Sequence, residues 1–147
     1  MKKRICTLAL ASLFAFSAMP VSAQFSKARD AVDYRQAAMD MIKVHFGRLA
    51  PVAKGARPLD DAAKADVTVL RFLSDLPWPA FGEGMQGGDS KRAVFSDAAG
   101  FKQAAADYQA AVAQLASASD AGDIDAFRAA FAKTGQSCKS CHDAYRD

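Results

Sequence analysis

The chain has 147 residues, 51% of them hydrophobic, with 19 Lys and Arg against 16 Asp and Glu. Three of the basic residues and none of the acidic ones lie in positions 1–23, so residues 24–147 are balanced in charge and offer no basic excess for nucleic acid. The remaining 124 residues suit one domain with one core.

Residues 1–23 open with Lys2, Lys3 and Arg4 and continue through the apolar run ICTLALASLFAFSAM to Pro20 and the small residues Val21-Ser22-Ala23. This is the pattern of a secretory signal peptide cut between Ala23 and Gln24. The run is too short for a spanning helix of about 20 residues, and no second one exists. Cys6 lacks the flanking small residues of a lipoprotein signal. A chain exported to a bacterial periplasm is expected, with one domain over 24–147 and no membrane insertion after cleavage.

Four segments then carry helical periodicity, and no convincing strand lies between them. The first, about Ala28 to Ala53, aligns Val32, Met39, Ile42, Phe46, Leu49 and Ala53, with Pro51 expected to kink it or end it early. The second follows Asp60, a plausible N-cap, and runs to about Leu76 with Val67, Leu70, Leu73 and Leu76 inward. The third begins near Ser96 and aligns Phe101, Ala105, Tyr108, Val112 and Leu115. The fourth follows Gly122 and aligns Ile124, Phe127, Phe131, Thr134, Cys138, Cys141 and Tyr145. Spacings of three and four describe seams buried against other helices. Short connections favour an all-α, antiparallel up-down-up-down four-helix bundle. The exception is 77–95, whose four glycines suggest a functional cover or an excursion.

Export leaves Cys138 and Cys141, too close together to staple a fold. Both fall on the inward register of the fourth helix, and His142 follows at once. Two thiols one turn apart can add to the two vinyl groups of a haem while the adjacent imidazole reaches its iron. Two alternatives remain open. A thiol–disulfide oxidoreductase pair normally opens a helix in an α/β domain, where the helix N-terminus lowers a thiol pKa. A structural zinc site needs four ligands, and His45, the other histidine, is far away in sequence.

With haem, the bundle topology encloses the cofactor between the early first helix, the 77–95 loop and the end of the fourth helix. Met39 is then the inward residue nearest that level. Arg35 interrupts the same apolar stripe one turn earlier, with Gln36 beside it, and an arginine suits a haem propionate. Trp78 and Phe81 fit an aromatic lid, Arg146 is expected near His142, and His45 reads as a surface or packing residue.

The stretches DAVDYRQAAMDMIKVHFGRLAPVAKG, LPWPAFGEGMQGGD, FSDAAGFKQ, ASDAGDIDAFRAAF and SCKSCHDAYR resemble cytochrome c′, the exported four-helix haem proteins of bacteria, over essentially the whole of 24–147. The resemblance implies one haem c held by Cys138 and Cys141, with His142 as the iron's proximal ligand. It also implies haem-edge contacts from Arg35, Gln36 and the Asp89-Ser90 region, although SKRAVF after Asp89 lacks the proline and glutamate expected there. Such proteins are commonly homodimers, bind nitric oxide and carbon monoxide, and pass electrons.

The leading expectation is a five-coordinate haem protein, not an enzyme, that binds small gases in an apolar pocket gated by Met39 and exchanges electrons with a periplasmic partner. A low-spin electron carrier with Met39 as sixth ligand is the alternative within the family.

Overall fold

The computed structural model describes residues 24–147; the signal-peptide reading of 1–23 and Cys6 lie outside the described residues. Four long helices carry the fold: α1 (Ala28–Ala53), α2 (Asp61–Leu73), α4 (Ala98–Ala121) and α5 (Ile124–Tyr145), with the one-turn α3 (Ala93–Ser96) before α4. They form the expected antiparallel bundle. Among the described residues there is no named strand, and no helix is long and apolar enough to cross a membrane.

Aspartates set the helix starts. Asp60 accepts from the Ala63 amide at 2.9 Å, Asp97 from Gly100 at 3.1 Å, and Asp123 from Asp125 and Ala126. Each satisfies amides that the first helical turn leaves free. Pro51 lies inside the last turn of α1, and the helix stops two residues later at Ala53. The helix thus runs past the proline to the expected Ala53 and does not end early. α2 stops at Leu73, three residues short of the expected Leu76, because the chain turns through Ser74–Pro77 into a 3₁₀ turn at Trp78–Phe81.

Leu49, Val52, Leu70, Val112, Leu115 and Phe127 form the fully buried centre. Here α1 packs on α2, α2 on α4, and α4 most extensively on α5. α1 and α5 touch least, so the bundle is closed on three seams and parted on the fourth. The stripe of α1 is split accordingly. Ala31, Ala38, Ile42, Leu49 and Val52 are buried, whereas Val32, Met39 and Phe46 are half-buried and face the parted seam or the loop.

Candidate haem site

The parted seam is a cavity of about 740 Å³. α1 lines it with Arg35, Gln36, Met39 and Phe46, α5 with Cys138, Cys141 and His142, and the connection after α2 with Trp78, Phe81, Asp89 and Ser90. All ten residues singled out as site candidates border this one space. The volume falls within the roughly 300–1,000 Å³ of small-molecule and cofactor sites.

Helical spacing puts Cys138 and Cys141 on one face of α5, both half-buried and free of any disulfide. Burial pushes both thiols above their ordinary pKa, and at Cys138 the neighbouring Cys141 adds to the effect. A redox pair needs the opposite shift. The imidazole of His142 is pushed down, first by burial and then by Arg146, which favours the neutral ring that ligates a metal. His45 is absent from the cavity. It sits between α1 and α2 with Nδ1 at 2.7 Å from the buried carboxylate of Asp66, which removes it from any ligand set with the cysteines.

Arg35 is only 3% exposed. Its guanidinium donates to the carbonyls of Ala80 and Met85 at 2.7 Å and Gly87 at 2.6 Å, and lies 4.6 Å from the centroid of the Phe81 ring. Three of its five N–H groups are therefore spent on the 77–95 connection, and two remain for an anion at the rim. Gly88 brings this connection against α1. Its φ is +60°, and a Cβ there would lie 3.0 Å from Val32 and 3.1 Å from Gln36. Instead of a free cover, the loop is a clasped wall.

A second clasp joins the loop to the end of α5. Ser90 and Arg146 form a short antiparallel bridge, in which the Lys91 amide donates to the Tyr145 carbonyl and the Asp147 amide to the Asp89 carbonyl, both at 3.0 Å. Arg146 also pairs with the Asp89 carboxylate at 3.2 Å. Asp89 is an anion, so it serves the rim by fixing Arg146 and the backbone. The Tyr145 hydroxyl donates to Asp97 at 2.8 Å, and Gly100 leaves the space, since a Cβ there would meet both groups within 2.5 Å.

The aromatic wall is larger than Trp78 and Phe81. Phe101 lies 4.9 Å from Phe81 between ring centroids, Tyr108 lies edge-on to Trp78 at 6.1 Å, and Phe46 stacks on Phe131 at 4.3 Å. Phe101 and Tyr108 belong to the seam of α4, and periodicity alone does not separate a residue facing core from one facing a cavity. Tyr108 lines the cavity, while its hydroxyl is buried with no hydrogen-bond partner. Two thiols one turn apart, a neutral imidazole, flat aromatic walls and guanidinium groups at the rim together fit a haem.

A family model described as Cytochrome C′ matches residues 30–146. The chain is 54% identical to the cytochrome c′ of Alcaligenes xylosoxydans xylosoxydans over 124 residues, covering 84% of this chain and 98% of the relative. It is 44% identical to that of Rubrivivax gelatinosus over 128 residues, covering 84% and 99%. A solved nitric oxide complex of a cytochrome c prime variant from Alcaligenes xylosoxidans superposes with a TM-score of 0.81 at 53% identity, covering 84% of this chain and 98% of that one.

Proposed function

As the chain belongs to the cytochrome c′ family, a family of haem proteins, we propose that it is a periplasmic gas-binding and electron-transfer protein carrying one covalent haem c. The observation that carries this reading is the cavity between α1 and α5, into which Cys138, Cys141 and His142 all open. The nitric oxide complex of the relative supports the choice of ligand class.

When bound, the haem supplies an iron that changes charge by one electron and coordinates neutral diatomic gases such as NO and CO. Cys138 and Cys141 would hold it through two thioethers, and the neutral imidazole of His142 would ligate its iron. The two spare N–H groups of Arg35, the amide of Gln36 and the guanidinium of Arg146 serve the propionate rim, while Asp89 and Ser90 hold that rim in place. Binding rather than catalysis is the role we assign.

Met39 is half-buried on the cavity wall. We assign it as a steric gate over a five-coordinate iron. Met39→Ala is expected to speed carbon monoxide binding severalfold to tenfold, which corresponds to removing up to about 1.4 kcal/mol of barrier. Stopped-flow mixing measures this, with the ferrous protein remaining high-spin throughout. A low-spin parent that becomes high-spin on substitution would make Met39 the sixth ligand and the protein a dedicated electron carrier.

The homodimer is proposed on a separate observation. Met41, Val44, Val69 and Phe72 are apolar side chains on α1 and α2 with 38–67% of their surface exposed, away from the cavity. Such a patch suits an isologous helix-pair interface. Sedimentation equilibrium of the 24–147 protein at micromolar concentration is expected to give twice the chain mass, and Phe72→Glu to give the single mass.

A further inference from the structure

Tyr145 borders the haem cavity from the last turn of α5, and its hydroxyl donates to the Asp97 carboxylate at 2.8 Å. Asp97 divides its two oxygens. One accepts from the Gly100 amide at 3.1 Å and caps α4, and the other accepts from the phenol. Gly100 lies in the first turn of α4 without a left-handed φ, yet a Cβ there would collide with both groups. A residue that weakens a helix thus stands where it leaves room for this pair. Phe101 meets the Tyr145 ring edge-on at 5.3 Å between centroids.

The other oxidisable rings show what the pair can do. A phenol or indole that loses an electron becomes a strong acid, so it is oxidised readily only where a base can take its proton. That base must stand within hydrogen-bond reach, about 2.6–3.2 Å. Tyr34 lies outside the cavity lining. Tyr108 borders the cavity, but its hydroxyl has no partner. Trp78 donates its N–H to the Ser74 carbonyl, which is a poor base. Of the three tyrosines and one tryptophan, Tyr145 alone joins the cavity to a carboxylate. It is also only half-buried, so a reductant in solution can reach it.

Resting on the haem reading above, we infer that Tyr145 is a one-electron relay between the surface and the haem pocket, with Asp97 as its base and a peroxide as the oxidant. The hydrogen bond to Asp97 raises the pKa of the hydroxyl, so the ring starts protonated. Hydrogen peroxide takes up two electrons and two protons to become two molecules of water. One electron comes from ferrous iron, which becomes ferric, and the other from Tyr145. The O–H bond of Tyr145 breaks, its proton passes to Asp97, and a neutral tyrosyl radical remains. Asp97 returns that proton to the solvent, from which the peroxide draws its two. A small one-electron donor such as a soluble phenol, with one proton, then restores the ring.

The test is freeze-quench electron paramagnetic resonance of the haem-loaded ferrous protein mixed with hydrogen peroxide. The parent is expected to give a tyrosyl signal, and a nitroso spin trap to add its mass to the peptide carrying Tyr145. Tyr145→Phe should remove both, whereas Tyr34→Phe should remove neither. Asp97→Asn still caps α4 but is no base, and should slow radical formation at least about tenfold. Gly100→Ala keeps both partners while pushing them apart, and should slow it in the same sense. An undiminished signal in Tyr145→Phe, an indole radical on Trp78, or an unchanged rate in Asp97→Asn overturns the inference. So does a parent that has haem absorption bands but forms no radical. A parent without those bands takes away the haem reading, and this inference with it.

Discussion

The double variant Cys138→Ala, Cys141→Ala is expected to leave the cell without covalent haem and without fixed tertiary packing. Both thiols open on the cavity between α1 and α5, and that cavity has a volume of about 740 Å³. At about 24 cal/mol per Å³, a rigid and dry cavity of this size would cost on the order of 18 kcal/mol. A domain's whole stability is about 5–15 kcal/mol. The open rim lets water in and lowers the cost, yet the comparison decides the outcome: without haem the walls close or loosen. Helix content should survive, since the centre around Leu49, Leu70, Leu115 and Phe127 is independent of the cavity. Near-ultraviolet circular dichroism should collapse while the far-ultraviolet signal persists, and a hydrophobic dye should bind. The parent, denatured in acidic acetone, should keep its haem bands with the protein, and its mass should be that of residues 24–147 plus one haem. Haem extracted from the denatured parent would overturn the thioether reading. His142→Ala separates the roles further, because it should retain the haem through both sulfurs yet lose the proximal ligand and its spectrum.

Arg35→Leu should show the second-largest effect. The side chain is almost fully buried, and three of its N–H groups hold the carbonyls of Ala80, Met85 and Gly87. Leucine matches the apolar stripe of α1 but leaves those carbonyls without donors. A loss of roughly 2–4 kcal/mol is expected, since bonds from a charged donor contribute about 1.5–3 kcal/mol each and the loop can partly rehydrate. Thermal unfolding measures the total, and amide exchange locates it: protection should fall over 78–91 and stay intact in α2 and α4. Arg35→Lys should recover only part of the loss, because an ammonium has no planar fork to span three carbonyls. The reduction potential tests the propionate role separately. An unchanged potential together with a lost clasp would leave Arg35 as a purely structural residue.

The four helices were legible in the chain because local rules specify them. Apolar spacings of three and four, aspartates before α2, α4 and α5 and Gly122 after α4 act within a few residues, and the observed bounds follow them closely. The haem motif was legible for the same reason, since two thiols and an imidazole within five positions share one helical face wherever the helix lies. Pro51 shows the limit even of local rules: it fits the last turn of α1, and the helix still runs to Ala53.

Other features depend on residues far apart in the chain. Arg35 reads as a defect in an apolar stripe until the loop some 45–52 positions later delivers three carbonyls to it. Arg146 reads only as a neighbour of His142 until Asp89 and Ser90 meet it from 57 and 56 positions away. Tyr108 and Phe101 read as seam residues because periodicity reports only which face is inward, while the packing of all four helices decides whether that face meets side chains or a gap. The sequence by itself therefore determined the helices, their inward faces and the chemistry of the cysteine–histidine pair, all encoded by neighbours a turn apart. Only the tertiary structure decided that α1 and α5 stand apart and that the 77–95 loop is clasped from both sides, because each depends on where separate helices come to rest.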